Sequence, residues 1–156
     1  HWAVGAFAAS VGMATMFIGW GLLCVSRPAF RVLWLQVPGG AACALALGIY
    51  ASSARRVGRL RGPSSYSLGL ETGGIHGWVR HPQALALCVL AVGLALLSGS
   101  IPYFATLPIW LGFWIGYTYL EERNELIPAF GEEYLRYRDR TPRILPRLFR
   151  GRSRTP

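Results

Sequence analysis

The sequence predicts an all-α integral membrane protein with at least four transmembrane helices, and three observations carry that prediction. Hydrophobic residues make up 53% of the 156 residues and charged ones only 15%, the balance of a chain that meets lipid rather than water. Three windows carry no charge: Trp2 to Val25, Val32 to Ser52 and Gln83 to Leu120. The 16 basic residues, all arginine, fall between and after these windows.

The first two windows have 24 and 21 residues, close to the ~20 that a helix needs to cross ~30 Å of hydrocarbon. The first is too long for the apolar part of a signal peptide and no basic residue precedes it, so it reads as a span. The chain opens at His1; four is therefore taken as a minimum, with room for another helix upstream. The third window has 38 residues, which as one helix would run about 57 Å at ~1.5 Å per residue. It must fold back, and the turn-forming cluster Ser98-Gly99-Ser100-Ile101-Pro102 marks the place, with helix three to about Leu97 and helix four from about Tyr103.

Residues 1–52 form a transmembrane hairpin rich in small residues, as in Gly39-Gly40-Ala41-Ala42, which let helices approach closely. Pro38 and the two glycines after it suit either ordinary packing or a kink lining a substrate path. Residues 53–76, rich in Gly, Ser and Arg, read as a loop ending in Thr72-Gly73-Gly74, a turn whose bare backbone suits approach to a ligand. After the second hairpin, Glu121 to Ile127 continue helix four, Pro128 interrupts it, and Phe130 to Arg140 read as an amphipathic helix. Glu132 and Arg136 support that helix at i,i+4, and Tyr134 and Tyr137 share a face. Residues 149–156 form a basic tail.

The net charge of +9 is unevenly placed. Arginines gather between helices two and three (Arg55, Arg56, Arg59, Arg61, Arg80) and after Glu122, which orients the middle loop and the C-terminus to the cytoplasm. In a membrane protein such basic loops point to anionic lipid head groups rather than to nucleic acid. Cys24, Cys43 and Cys88 lie in or at the ends of apolar segments without ligand spacing, so no metal site or disulfide framework is expected. Nothing in the sequence fixes an oligomeric state.

The antiparallel second hairpin returns Arg80-His81-Pro82, where helix three begins, to the same surface as Glu121-Glu122, where helix four ends. Pro82 suits the first turn of a helix, where its missing N–H costs nothing. Polar residues flank every membrane helix, so these four charges alone fit lipid anchoring. Carboxylates at a helix C-terminus, however, oppose the helix dipole and call for a cation, either Arg80 or a bound ligand.

The segment LETGGIHGWVRHPQAL, followed by EERNELIPAFGEEYLRYRDRTPRILP, resembles the C-terminal half of the isoprenylcysteine carboxyl methyltransferase and phospholipid methyltransferase superfamily of integral membrane enzymes. The matching residues are Gly73 and Gly74, Arg80-His81-Pro82, Glu121-Glu122, Phe130-Gly131, Tyr134, Tyr137, Pro142-Arg143 and Pro146. Two positions depart from the pattern. Ala84 stands where the RHPxY motif has tyrosine, and Glu125 takes the leucine position of EExxL, with Leu126 one residue late. Either a local bulge or a shift of register so that Glu122 leads would reconcile the second.

The resemblance implies a methyltransferase-like core over residues 53–148 and S-adenosylmethionine as cofactor, held at the cytoplasmic face. Its contacts would come from Arg80, His81, Pro82, Glu121, Glu122, Gly74, Tyr134 and Tyr137. Arg80 and His81 would take the cofactor's carboxylate, and Glu121 or Glu122 its ammonium or ribose. It further implies a lipophilic acceptor arriving from the bilayer. No catalytic residue is assigned, because methyl transfer from a sulfonium needs alignment and exclusion of water rather than a protein nucleophile. Two alternatives stand beside this reading: a noncatalytic membrane scaffold with a degenerate site, and an NADPH-dependent membrane reductase of related architecture.

Overall fold

The computed structural model describes residues 11–21, 23, 33–60 and 69–146. Every regular element among them is helical, in agreement with the all-α expectation. Helix α1 covers Val11–Gly21, α2 Leu33–Leu60, α3 Pro82–Ser98, α4 Ile101–Glu121 and α5 Ile127–Arg140. A 3-10 turn at Gly74–Gly77 precedes α3, and a π turn at Glu122–Leu126 joins α4 to α5. The outer parts of the first window, Cys24 and the basic tail lie outside the described residues.

The hairpin forms where the turn cluster requires it. Gly99 ends α3 in the left-handed conformation (φ 55°), the C-cap geometry that glycine adopts without strain, and Pro102 lies in the first turn of α4. Two expectations are corrected. Helix two was bounded at Ser52, but α2 runs on to Leu60, because the alanine, arginine and leucine of its last turns favour helix. Arg55, Arg56 and Arg59 therefore stand on a helix rather than in a loop. Pro128 was expected to interrupt the chain, yet it lies in the first turn of α5, where proline is tolerated, and the non-helical residue is Gly131 (φ 52°, ψ −126°).

Helix α3 packs most extensively on α2, and small residues explain the closeness. A Cβ on Gly39 would stand 2.9 Å from the Gly93 carbonyl oxygen, and one on Gly93 would stand 2.7 Å from Cys43 Sγ. The two backbones thus approach through glycine, which supports the packing role of Gly39 over a substrate-lining kink. Helix α1 joins through Phe17, whose ring packs against Tyr103 and Trp110 of α4. Among the described residues one helix, α2 over Trp34–Val57, is long and apolar enough to cross a membrane, while α1 and α3 are apolar but shorter. Large apolar side chains stand exposed on α1, α2 and α4, among them Met16, Trp34, Val37, Leu47, Ile109 and Leu120.

Candidate functional site

The structure brings Arg80, His81, Glu121 and Glu122 together at the open end of the α3–α4 hairpin. The π turn makes this possible. It adds one residue to the helical repeat at Glu122–Leu126, a local bulge of the kind that was one of the two alternatives for the late Leu126, and turns Glu122 inward, where its side chain is 4% exposed.

Glu122 is the hub. Arg80 Nη1 stands 2.8 Å from its Oε1. His81 Nε2 is 2.9 Å from the same oxygen. Arg143 closes on both oxygens, Nε at 3.2 Å and Nη2 at 2.7 Å, the two-pronged geometry that makes guanidinium–carboxylate pairs strong. His81 is held at its other nitrogen too, Nδ1 lying 3.1 Å from Glu121 Oε2. Carboxylates only accept hydrogen bonds, so a ring between two of them donates from both nitrogens and is an imidazolium. Burial opposes that charge, but the bonds to Glu121 and Glu122 prevail and raise the His81 pKa. Burial likewise works against the Glu122 charge. The His81 and Arg143 hydrogen bonds and the Arg80 charge override it and hold the carboxyl at about 2.

The C-terminal segment fastens this hub from outside. Arg80 N–H donates to the Pro142 carbonyl at 2.9 Å and His81 N–H to the Arg143 carbonyl at 3.0 Å, while the Arg143 guanidinium lies 3.3 Å over the Tyr119 ring. Sequence reasoning placed Arg143 in a motif but not in the site, and nothing in its spacing points to Glu122. The cation owed to the acidic helix end is thus supplied three times, by Arg80, His81 and Arg143.

The remaining site residues surround this junction. Pro82 is buried at the start of α3. Ala84, at the departed tyrosine position, is buried too. Tyr134 is buried beside Arg80 and Glu122, and burial above all raises its pKa. Its hydroxyl, like Nε of Arg80, has no well-formed hydrogen bond. The Tyr137 ring packs edge-on to Tyr134 at 6.0 Å, and its hydroxyl donates to the His76 carbonyl at 2.6 Å. Gly74 (φ 55°) stands apart from the acidic hub, beneath Arg56, whose Cζ would lie 2.6 Å from a Cβ there. Arg56 also pairs with Glu71 at 3.7 Å, and Glu71 accepts from Gly73 N–H at 2.9 Å, so helix α2 grips the glycine turn. His76, buried in that turn with Nε2 3.3 Å from Ser53 Oγ, was not anticipated; a lone histidine in a glycine-rich loop gives no signal of its partner on another helix.

Two clefts take lining residues from neighbouring points of the segment 72–79. One, of about 370 Å³, is lined by apolar side chains including Ile49, Ile75, Trp78, Leu85 and Pro146. The other, of about 380 Å³, is lined by Thr72, Glu133, Arg136, Tyr137, Arg140 and Thr141. No group of histidine, cysteine and acidic residues suited to a metal ion occurs among the described residues. A scan of the chain against protein-family models finds no match, and a search of curated proteins finds none either.

Proposed function

We propose that this chain is a multi-pass membrane enzyme that transfers a methyl group from S-adenosylmethionine to a lipophilic acceptor at the cytoplasmic membrane face. The observation that carries the reading is a pair of clefts, one lined by polar and one by apolar side chains, that lie at nearby points of one segment, Thr72 lining the first and Gly74, Ile75, Trp78 and Val79 the second. Such a pair suits a reaction between a charged donor from water and an apolar acceptor from lipid. The family resemblance of the same residues supports it. So do the large apolar side chains exposed on α1, α2 and α4, which suit contact with lipid. In this reading four helices span the bilayer, and the arginine-rich middle loop and C-terminus face the cytoplasm.

The site residues fit the methyl donor in part. Arg80 Nε and the Tyr134 hydroxyl are buried polar groups without good hydrogen bonds, and such groups suit acceptor atoms of a ligand. His81 does not fit the role of carboxylate ligand, because Glu121 and Glu122 already hold both of its nitrogens. Glu122 is similarly filled. The chain's residues would therefore serve by position: the ionic hub fixes α3, α4 and the C-terminal segment, and the clefts align two substrates away from water. Bound S-adenosylmethionine supplies a methyl group already activated by its sulfonium.

One observation favours the noncatalytic scaffold as a second reading. The Arg80, His81 and Glu122 side chains are 9%, 6% and 4% exposed and satisfy one another, as a purely structural junction would. Incubation of purified protein in membrane lipid with methyl-labelled S-adenosylmethionine separates the two. Label in the organic extract, absent with heat-inactivated protein, supports the enzyme; its absence across a broad lipid extract supports the scaffold.

A further inference from the structure

We propose that the α-amino-acid end of the methyl donor binds in the cleft between residue Thr72 and helix α5, on Arg136, Arg140 and Glu133, and not on Arg80 and His81. This assignment rests on the methyl-donor reading and gives it a location. Glu133, Arg136 and Arg140 are spaced i, i+3 and i+7, which puts them on one face of α5, and all three line the cleft. Among the described residues no ion pair joins any of them; the Arg136 side chain reaches only the Glu132 carbonyl, at 3.4 Å. The cleft thus holds two guanidiniums and one carboxylate, open to solvent and without an ion-pair partner among the described residues. That is the complement of a zwitterion, a carboxylate against the arginines and an ammonium against Glu133.

The hub at Arg80 lacks this complementarity, since each of its two carboxylates and three cations is already engaged in an ion pair within it. The cleft adjoins it nonetheless. Tyr137 lines the cleft and packs on Tyr134, and Thr141 of the cleft is followed directly by the carbonyls that hold Arg80 and His81. A donor with its amino-acid end on α5 would have its remaining polar atoms toward Tyr134 and Arg80, whose hydroxyl and Nε lack well-formed hydrogen bonds. The apolar cleft begins two residues along the chain from Thr72, at Gly74.

The experiment compares S-adenosylhomocysteine with methylthioadenosine, which lacks the amino acid, by calorimetric titration of the detergent-solubilised full chain. Wild type should bind the first more tightly. Arg140→Ala and Glu133→Gln should each weaken that ligand about tenfold or more, the loss expected for one charge-assisted contact, while methylthioadenosine binding stays unchanged. That second ligand also reports that each variant is folded. Equal affinities of the variants and wild type for S-adenosylhomocysteine would overturn the assignment and leave the methyl-donor reading standing. Binding of neither ligand by wild type would overturn the methyl-donor reading, and the assignment with it.

Discussion

Replacing Glu122 by glutamine keeps its shape and removes its charge. Holding this carboxyl at about 2 rather than its ordinary 4.5 favours the charged, folded form by about 3 kcal/mol, at about 1.4 kcal/mol per tenfold change in acidity. The substitution also strands Arg80, His81 and Arg143 with Glu121 as the remaining carboxylate of the hub, and breaking one side of a buried ion pair costs about 3 to 5 kcal/mol. The sign with pH follows from the direction. A depressed carboxyl contributes its stability in full above about pH 4.5 and loses it as pH falls toward about 2. Unfolding in mixed detergent micelles, followed by helical circular dichroism, should show Glu122→Gln about 3 kcal/mol less stable than wild type at neutral pH. The gap should narrow as pH falls through that window. A gap below about 1 kcal/mol at neutral pH, or one that does not change with pH, would refute the account of Glu122 as the ionic hub.

His81 carries the opposite sign: its raised pKa makes its contribution complete below its ordinary 6.5, and the contribution is lost as pH rises through the folded-state value. The wild-type stability profile should therefore be highest between about 4.5 and 6.5 and decline on both sides, measured by the same unfolding titration. Arg143→Lys keeps the charge but not the two-pronged contact on Glu122, and should cost about 1 to 2 kcal/mol. Gly39→Ala should cost about 1 to 3 kcal/mol, since its Cβ meets backbone of α3 at 2.9 to 3.0 Å. Gly40→Ala, with nothing within 4 Å, should be neutral or stabilising by up to about 1 kcal/mol. Gly74→Ala should cost about 1 to 2 kcal/mol for its left-handed backbone, and an Arg56→Ala background should relieve the contact with the guanidinium but not that backbone cost.

The hairpin was legible in the sequence because its causes are local: an apolar window too long for one helix and a Ser-Gly-Ser-Ile-Pro break in the middle. That folding alone carries Arg80-His81 to Glu121-Glu122. The late Leu126 was legible as an irregularity, and the π turn resolves it by adding a residue rather than by shifting the register. The partners of these charges were not legible. Glu122 selects Arg143, 21 residues further on, and no periodicity connects them; only the docking of residues 142–143 along 80–81 does. The extent of α2 was misjudged because arginine marks the end of an apolar window, not of a helix. The polar cleft was hidden for a similar reason, since Glu133, Arg136 and Arg140 read in isolation as the solvated face of an amphipathic helix until Thr72 is brought against them.

Equilibrium binding decides whether this helical junction holds the methyl donor proposed for it. Folded wild-type protein in detergent would be titrated with S-adenosylhomocysteine and, separately, with NADPH. Saturable binding of S-adenosylhomocysteine alone is the predicted result. Saturable binding of NADPH alone would contradict the account in favour of a reductase, and binding of neither would contradict it in favour of a scaffold whose buried charges serve only to hold its helices together.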